Sequence, residues 1–461
     1  AGIVKAALAL HHKVLPGTIN VTRPKPDMDI ETTPFYLNSE TRPWFAKSSK
    51  IPRRAGVSAF GFGGVNVHVA MEEFSDEHTE NYRVHSLNKM ILVHAISTHD
   101  LSTELSNRLQ SLRGEGATKA FAALAKYSQE ETIPKINPRV GFVASNTADA
   151  IKKFDIAIKM LGERMDETAW EHPIEGIWYR ASALNNRDKV VALFSGQGSQ
   201  YVNMGNSLAC AYPTIRTSFQ KANDLCEARK EAPLTDKVYP VPAFNDDDRE
   251  KQDEELRQTQ FAQPSIGALS VGMYKLFSHE GFRPDFYAGH SFGELTALWA
   301  AGAMDDDVYY KLAKSRGDAM ALKGDGDAGS MLAVQGDLKD IEAQISAYAD
   351  VQIANINSGK QIILGGATDS LKQLKDNLEY EGLAPKMLRV SAAFHTPFVA
   401  HAHQPFADDI AKAKFQGINK PVYSNTTGKQ YNVRAPKIKE TLARHMLSPV
   451  LFKEQVENMY A

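Results

Sequence analysis

The 461-residue chain is 43% hydrophobic and 23% charged, with 53 Lys+Arg against 55 Asp+Glu and a formal net charge of -2. That balance excludes a disordered chain and argues against nucleic acid or an anionic membrane as the main partner. Two cysteines, Cys210 and Cys226, imply no disulfide framework and fit a reducing, cytoplasmic compartment. No apolar run approaches the roughly 18 residues of a membrane span. At about 100–200 residues per domain the length suggests about three domains, or one large and two small. The chain opens at Ala1 inside an apolar helical pattern, without a Met or a signal-like segment, and reads as a piece of something longer.

Residues 3–15 read as a buried helix stopped by Pro16-Gly17, and the Pro-rich stretch 16–54 as an extended segment lying on a partner surface. Val57 to Val69 holds two strand-like runs about a glycine turn, a hairpin pattern, and 74–88 is a polar connector. A small α/β unit follows: a strand at 90–96, a helix capped by Ser97, a helix at 117–128, a strand at 140–144, a helix near 149–162 and a last strand near 174–180. Val190–Phe194 begins the third unit as a buried strand. The charged run from Asp246 to Glu255 reads as a solvated loop. Pro264 opens a helix ending at Gly281. A strand at 285–288 meets a sharp turn at Ser291, and two helices divided by Gly302 come next. Residues 330–390 alternate as β-α-β-β-α-β, a split βαβ insert of ferredoxin-like type.

The strongest chemical signal is Gly289-His290-Ser291-Phe292-Gly293, a G-x-S-x-G pattern between a strand and a helix. Flanking glycines permit a strained turn that lifts a serine Oγ clear of the sheet. The helix N-terminus behind it can stabilise an oxyanion; a plain helix-capping serine is the competing reading. A nucleophilic serine needs a base, and His395 follows the last strand of the insert, where a cleft would lie. By residue chemistry alone a satisfied structural histidine is the stronger reading. His401 and His403 lack a Cys or carboxylate at metal-ligand spacing. The Gly196-Gln197-Gly198-Ser199-Gln200 turn either exposes N–H groups for an oxyanion hole or is an ordinary strand–helix turn. Arg316, taken alone, reads as a surface arginine.

Together, the Gly196–Gln200 turn, Gly289–Gly293 with Glu294, Arg316, Phe394-His395-Thr396-Pro397 and Pro421-Val422-Tyr423-Ser424-Asn425 resemble the malonyl-CoA:acyl carrier protein acyltransferases over about 189–461. The resemblance implies Ser291 as nucleophile and His395 as base. It implies Arg316 as the grip on the malonyl carboxylate, and the Gln197 and Phe292 N–H groups as the oxyanion hole. Phe394, before the base, resembles malonyl-selective members, although Ala392 stands where many of them carry His. Residues 1–74 resemble the C-terminal part of a thiolase-fold ketosynthase. There Phe62-Gly63-Gly64-Val65-Asn66-Val67-His68 is similar to the last catalytic-histidine motif, with His68 vestigial because the family's nucleophilic Cys is absent.

The implied organisation is an α/β chain: a ketosynthase remnant at 1–74, an α/β linker domain at 85–185, and an acyltransferase at 189–461. The acyltransferase would have a large hydrolase-like subdomain (189–328 and 391–461) and a ferredoxin-like one (329–390). That order is the order of type I polyketide synthases, and the motif wording is also similar to the polyunsaturated fatty acid synthases. The implied reaction loads malonyl from malonyl-CoA onto the phosphopantetheine thiol of an acyl carrier protein, with no metal and no bound cofactor. Partners would be that carrier and the other domains of the synthase. Family members also continue beyond the equivalent of Ala461, and the carbonyl that orients their catalytic His is expected there, outside this sequence. Two other readings compete: a serine hydrolase or thioesterase, and a non-catalytic docking scaffold.

Overall fold

The computed structural model describes residues 1–48, 51–74, 88–184, 188–321 and 327–461. They divide into two compact units, residues 1–82 with 189–461, and residues 83–188. The expected connector at 74–88 lies almost wholly outside the described residues.

The first helix, α1 (Gly2–His12), stops earlier than its apolar pattern suggests. Lys13 turns left-handed (φ 56°) and donates its N–H to the Ala9 carbonyl. Only Ala9 and Leu10 of α1 are buried, so the expected buried helix is a largely exposed one. Strand β1 (Val14–Leu15) then pairs antiparallel with β2 (Arg42–Pro43). The end of the Pro-rich segment, residues 41–45, does lie on a surface, and that surface belongs to the same unit. Arg42 donates to the carbonyls of Tyr239 and Pro240, Asn206 donates to the Thr41 carbonyl at 2.9 Å, and Phe45 stacks on Tyr239. Strands β3 (Arg54–Phe60) and β4 (Asn66–Glu72) form the expected hairpin.

In the second unit, β5 (Lys89–His94), β6 (Arg139–Ala144), β7 (Ala169–His172) and β8 (Ile177–Arg180) make an antiparallel sheet in the order β5-β6-β8-β7. Helices α2 (Thr98–Arg113), α3 (Ala117–Glu130) and α4 (Thr147–Glu163) cover it. Leu101, Leu105, Leu109 and Leu112 recur at helical spacing and are all buried. Ser97 caps α2 by accepting the Asp100 N–H. The single strand expected near 174–180 is instead the hairpin β7–β8, reversed at Gly176 (φ 62°).

The remaining chain returns to the first unit. Strand β9 (Val191–Phe194) leads into α5 (Asn206–Ala211), α6 (Pro213–Ala228) and α7 (Thr235–Val238). The charged run is no loop but α8 (Asp246–Arg257), capped by Asn245, with three aspartates in its first turn where the helix dipole favours them. Helix α9 (Thr259–His279) starts before Pro264, which sits inside it. Strand β10 (Phe286–Gly289) runs parallel to β9, and Val422 bridges Tyr287 in parallel on the other side. Helices α10 (Gly293–Ala300) and α11 (Asp306–Ala321) follow. Phe194, Phe219, Tyr287, Phe292 and Tyr309 share one large core.

The insert has the expected split form. Strands β11 (Ser330–Gln335), β12 (Val351–Ile356), β13 (Gln361–Gly366) and β14 (Lys386–Met387) alternate with α12 (Leu338–Ile345) and α13 (Thr368–Tyr380). Their order, β12-β13-β11-β14, is antiparallel throughout. Leu332, Val334, Ile362, Leu364, Leu371 and Leu374 close a separate small core. Helices α14 (Ala400–Lys412), α15 (Ala435–Arg444) and α16 (Phe452–Tyr460) complete the chain.

Candidate active site

Ser291 occupies the turn between β10 and α10 with φ at 51°. Two glycines make that turn possible by letting backbone touch backbone. A Cβ on Gly289 would lie 2.0 Å from the Gly293 carbonyl carbon, and one on Gly293 would lie 2.1 Å from the Phe194 oxygen. Both distances are far below contact, so no larger residue fits either place.

His395 comes from the strap after the insert and is 3% exposed. Its Nε2 lies 2.7 Å from Ser291 Oγ. Its Nδ1 lies 3.2 Å from each of two backbone carbonyls, those of His445 and Ser448. Carbonyls only accept, so Nδ1 carries the ring proton and Nε2 turns its lone pair toward the serine hydroxyl. The carbonyl expected beyond Ala461 is thus not needed: residues 445 and 448, inside the chain, hold the ring. Burial, then the nearby Arg316 charge, pushes the His395 pKa down to about 3, so the imidazole is neutral near pH 7.

The Gly196–Gln200 turn lies against the same elbow. A Cβ on Gly196 would sit 2.3 Å from the His290 oxygen and 3.3 Å from Ser291 Cβ. The Gln197 side chain is fixed by Thr259 and Gln263, at 3.3 and 3.1 Å. Phe292 is the first residue of the helix entry. Neither the Gln197 nor the Phe292 N–H meets an acceptor among the described residues. Two donors near Ser291 are thus left without an acceptor, the kind of group that can stabilise an oxyanion.

Arg316 is not a surface residue. It sits on α11, 1% exposed, and neither Nη1 nor Nη2 is hydrogen-bonded among the described residues. Its guanidinium lies over the Phe292 ring at 5.9 Å, and burial lowers its pKa to about 10. A buried cation with two unsatisfied donor atoms is costly unless an anion completes it. Phe394 is 7% exposed and belongs to the large core.

Other predicted residues are not brought here. His68 is exposed on the hairpin, where Nδ1 meets Ser58 Oγ at 2.8 Å. His401 and His403 lie on α14, and no cluster of three metal-ligating side chains occurs among the described residues. A cleft of about 830 Å³ between residues 24–47 and 235–255 is lined by none of Ser291, His395 and Arg316.

Two further buried groups, Glu294 and His445, and the half-buried His290 stand at the site without a role assigned from the sequence. Glu294, in the first turn of α10, accepts from the Asn425 N–H (2.6 Å), Ser424 Oγ (3.3 Å) and the Tyr431 hydroxyl. Burial pushes its pKa up to about 7 against the pull of those bonds. His445 packs on His395 with ring centroids 5.2 Å apart, its Nε2 3.8 Å from Glu294 Oε2. His290 meets Asn357 Oδ1 at 2.8 Å. Glu294 and His290 stand in or beside the serine motif, a position that marks them. His445 lies in no pattern.

Residues 191–461 match the family described as acyl transferase domain, and residues 24–144 match the ketoacyl-synthetase C-terminal extension. A polyunsaturated fatty acid synthase chain from Thraustochytrium sp. is 33% identical over 483 aligned residues, which cover 100% of this chain and 17% of that protein. A PKS-NRPS hybrid synthetase of Aspergillus niger is 27% identical over 477, covering 100% of this chain and 24% of its own length. The chain therefore spans less than a quarter of these relatives. Among solved structures, the malonyl CoA-acyl carrier protein transacylase from Coxiella burnetii superposes with a TM-score of 0.53 at 29% identity, over 59% of this chain and 84% of that one. The acyl transferase domain of ZmaA gives 0.61 at 22% identity, over 83% and 81%, a likeness of fold alone.

Proposed function

The chain belongs to the acyl transferase domain family, and we propose that it moves a malonyl group from malonyl-CoA to the phosphopantetheine thiol of an acyl carrier protein. The observation that carries this reading is the buried Arg316, whose two terminal nitrogens make no hydrogen bond among the described residues, beside a hydrogen-bonded Ser291–His395 pair. A malonyl carboxylate supplies the planar anion that a guanidinium fork fits.

In the first half-reaction, His395 Nε2 takes the Ser291 proton as Oγ attacks the thioester carbonyl. The oxyanion accepts from the Gln197 and Phe292 N–H groups. The C–S bond breaks, CoA leaves with the proton returned by His395, and a malonyl-serine ester remains. In the second, His395 takes the proton of the carrier thiol, whose sulfur attacks the ester carbonyl; the ester C–O bond breaks, and His395 returns the proton to Ser291 Oγ. Every group these steps consume is on the chain or its two substrates, so we propose no bound cofactor and no metal.

The likeness to the Coxiella transacylase supports malonyl as the group moved. The likeness to the polyunsaturated fatty acid synthase supports a multidomain synthase as the setting. There residues 1–74 would be the ketosynthase remnant and 85–185 the linker domain, next to further domains of the synthase.

Intact-mass measurement after mixing with malonyl-CoA tests the reading. One malonyl adduct on the wild type and none on Ser291→Ala is expected. Equal acylation of both would reject Ser291, and hydrolysis outpacing transfer to a carrier thiol would favour a thioesterase.

A further inference from the structure

We propose that Asn425 is a positioning residue that holds the Ser291 elbow in its reactive shape. Its side-chain amide spans the turn. Asn425 Oδ1 accepts the Ser291 N–H at 2.6 Å, and Asn425 Nδ2 donates to the Gly289 carbonyl at 2.6 Å. The two bonded groups lie on either side of His290, so one rigid amide plane fixes the backbone of the last strand residue and of the nucleophile together.

That bridge meets a specific need. Ser291 has a left-handed backbone, which a non-glycine residue keeps only where its surroundings over-determine it. The glycines make the turn sterically possible, but they do not select it. Asn425 selects it, by offering one donor and one acceptor at the spacing the strained turn presents. The bridge also sorts the donors at the elbow. With the Ser291 N–H engaged by Asn425, the Phe292 and Gln197 N–H groups are left without an acceptor among the described residues.

Asn425 is itself held on every side. Its N–H donates to Glu294 Oε2 at 2.6 Å and its carbonyl accepts from the Leu451 N–H at 2.9 Å. Tyr287 N–H donates to the Pro421 carbonyl and Tyr423 N–H to the Tyr287 carbonyl, both at 2.9 Å, so residues 421–423 run as an extra strand along β10 and deliver Asn425 beside the end of that strand. Glu294, Ser424 and Asn425 are each 0% exposed. The amide therefore acts as a fixed part rather than a mobile polar group.

The inference rests on Ser291 being the acylated residue, and its test separates the two claims. Single-turnover acylation of Ser291 by malonyl-CoA is measured on the wild type, Asn425→Ala and Asn425→Ser, alongside labelling by a fluorophosphonate, which reads serine reactivity without needing malonyl. Asn425→Ala is expected to slow both reactions about 10–100-fold, the scale on which sub-ångström misplacement of a reacting group acts. The KM for malonyl-CoA should stay within about 3-fold, because Arg316 is untouched. Should Asn425→Ala lose its folded state, Asn425→Ser carries the test, since its hydroxyl fits the same turn yet cannot span both bonds; a loss of the same sign is expected. Wild-type acylation and labelling rates in a folded variant would overturn the clamp while leaving Ser291 in place. A loss that only tracks the folded fraction, or one that appears in KM alone, would overturn it as well. No acylation of the wild type would instead reject the assigned reaction.

Discussion

Ser291 and His395 face one another across 2.7 Å, and both have left-handed backbones, with φ at 51° and 63°. Among the described residues the other non-glycine positions with positive φ are asparagines, an aspartate and two lysines. The asparagines and aspartate tolerate that region through their short polar side chains. Neither member of the reacting pair spends its side chain on its own turn: the serine hydroxyl meets the imidazole, and the ring's other nitrogen meets carbonyls 50 and 53 residues away. Conformations of this kind cost about 1–3 kcal/mol each, and they concentrate where a side chain must be aimed. One C-terminal stretch restrains both residues. Asn425 bridges the serine turn, and the carbonyls of residues 445 and 448 hold the histidine ring.

The glycines of the elbow should tolerate no side chain. In Gly289→Ala and Gly293→Ala the new methyl group would lie 2.0 and 2.1 Å from backbone atoms, which cannot swing aside as a flexible side chain can. Each should destabilise the fold by about 3 kcal/mol or more and abolish Ser291 acylation. Gly359→Ala is the control, because its Cβ would meet nothing within 4 Å. It should stay within about 0.5 kcal/mol of wild type. Denaturant melts of the three variants decide the matter.

Much of this site is legible in residue order, and the illegible part has a common physical character. The Gly289–Gly293 elbow leaves a local mark, since the close approaches it needs exclude all but glycine at fixed spacing. Arg316 and His395 leave no such mark and emerge only through motif order along the chain. Glu294 and Asn425 are joined by a bond between residues 131 positions apart, and His395 and His445 by one spanning 50. No periodicity records a pairing of that kind. Helix α8 is hidden for the opposite reason. Only Leu256 of its residues is buried, so it shows no apolar face, and its Asn245 cap and acidic first turn are the available signals. Helix α9 begins earlier than its pattern suggests, because Pro264, which has the look of a first helical residue, stands in the second turn.

Stability should fall on the acid side of neutrality. His395 is pushed to about 3, His445 well below its ordinary value and His290 in the same direction, each chiefly by burial. In the unfolded chain all three titrate near about 6.5. Below that pH the unfolded state gains protons that the native state refuses. The stability they contribute is thus complete above about 6.5 and is lost as pH falls toward 3. Glu294, raised to about 7 from an ordinary 4.5, has the opposite sign. Its contribution is present below 4.5 and lost as pH rises through 7. Three imidazoles stand against one carboxyl, so the melting temperature at pH 5 is expected to lie below that at pH 7.5, on the order of 2–4 °C. Glu294→Gln removes the opposing group and should steepen the fall between pH 7 and 4.5. A flat profile in both proteins would contradict these shifts.

Donor choice should depend on Phe394. The ring precedes His395 in the chain and is packed into the core at 7% exposure, so it has little room to move aside. A donor carrying one extra methyl against such a ring loses about 1–3 kcal/mol, or roughly 10–200-fold. Malonyl-CoA should therefore acylate Ser291 faster than methylmalonyl-CoA, and Phe394→Ser should narrow the ratio. Equal wild-type rates for the two donors would remove the steric role assigned to this residue.

Arg316 should distinguish donors by charge rather than by size. Its guanidinium is buried, and its Nη1 and Nη2 make no hydrogen bond among the described residues. The malonyl carboxylate must leave water to reach Ser291, and a charge-assisted bond waiting for it contributes about 1.5–3 kcal/mol net. Arg316→Ala should cost malonyl transfer about 10–100-fold. Acetyl transfer should change little, because acetyl brings no charge and the vacated space is apolar on the Phe292 side. The same substitution removes a cation that depresses His395, so the acid limb of Ser291 labelling should move up in pH. A competition between malonyl-CoA and acetyl-CoA reads the first effect, and a pH series with a fluorophosphonate reads the second. If both donors fall together while labelling stays unchanged, Arg316 supports the fold or the CoA moiety and the malonyl assignment fails with it. If the ratio inverts with Ser291 still labelled, a carboxylate-selective transfer site remains and a general thioesterase is excluded.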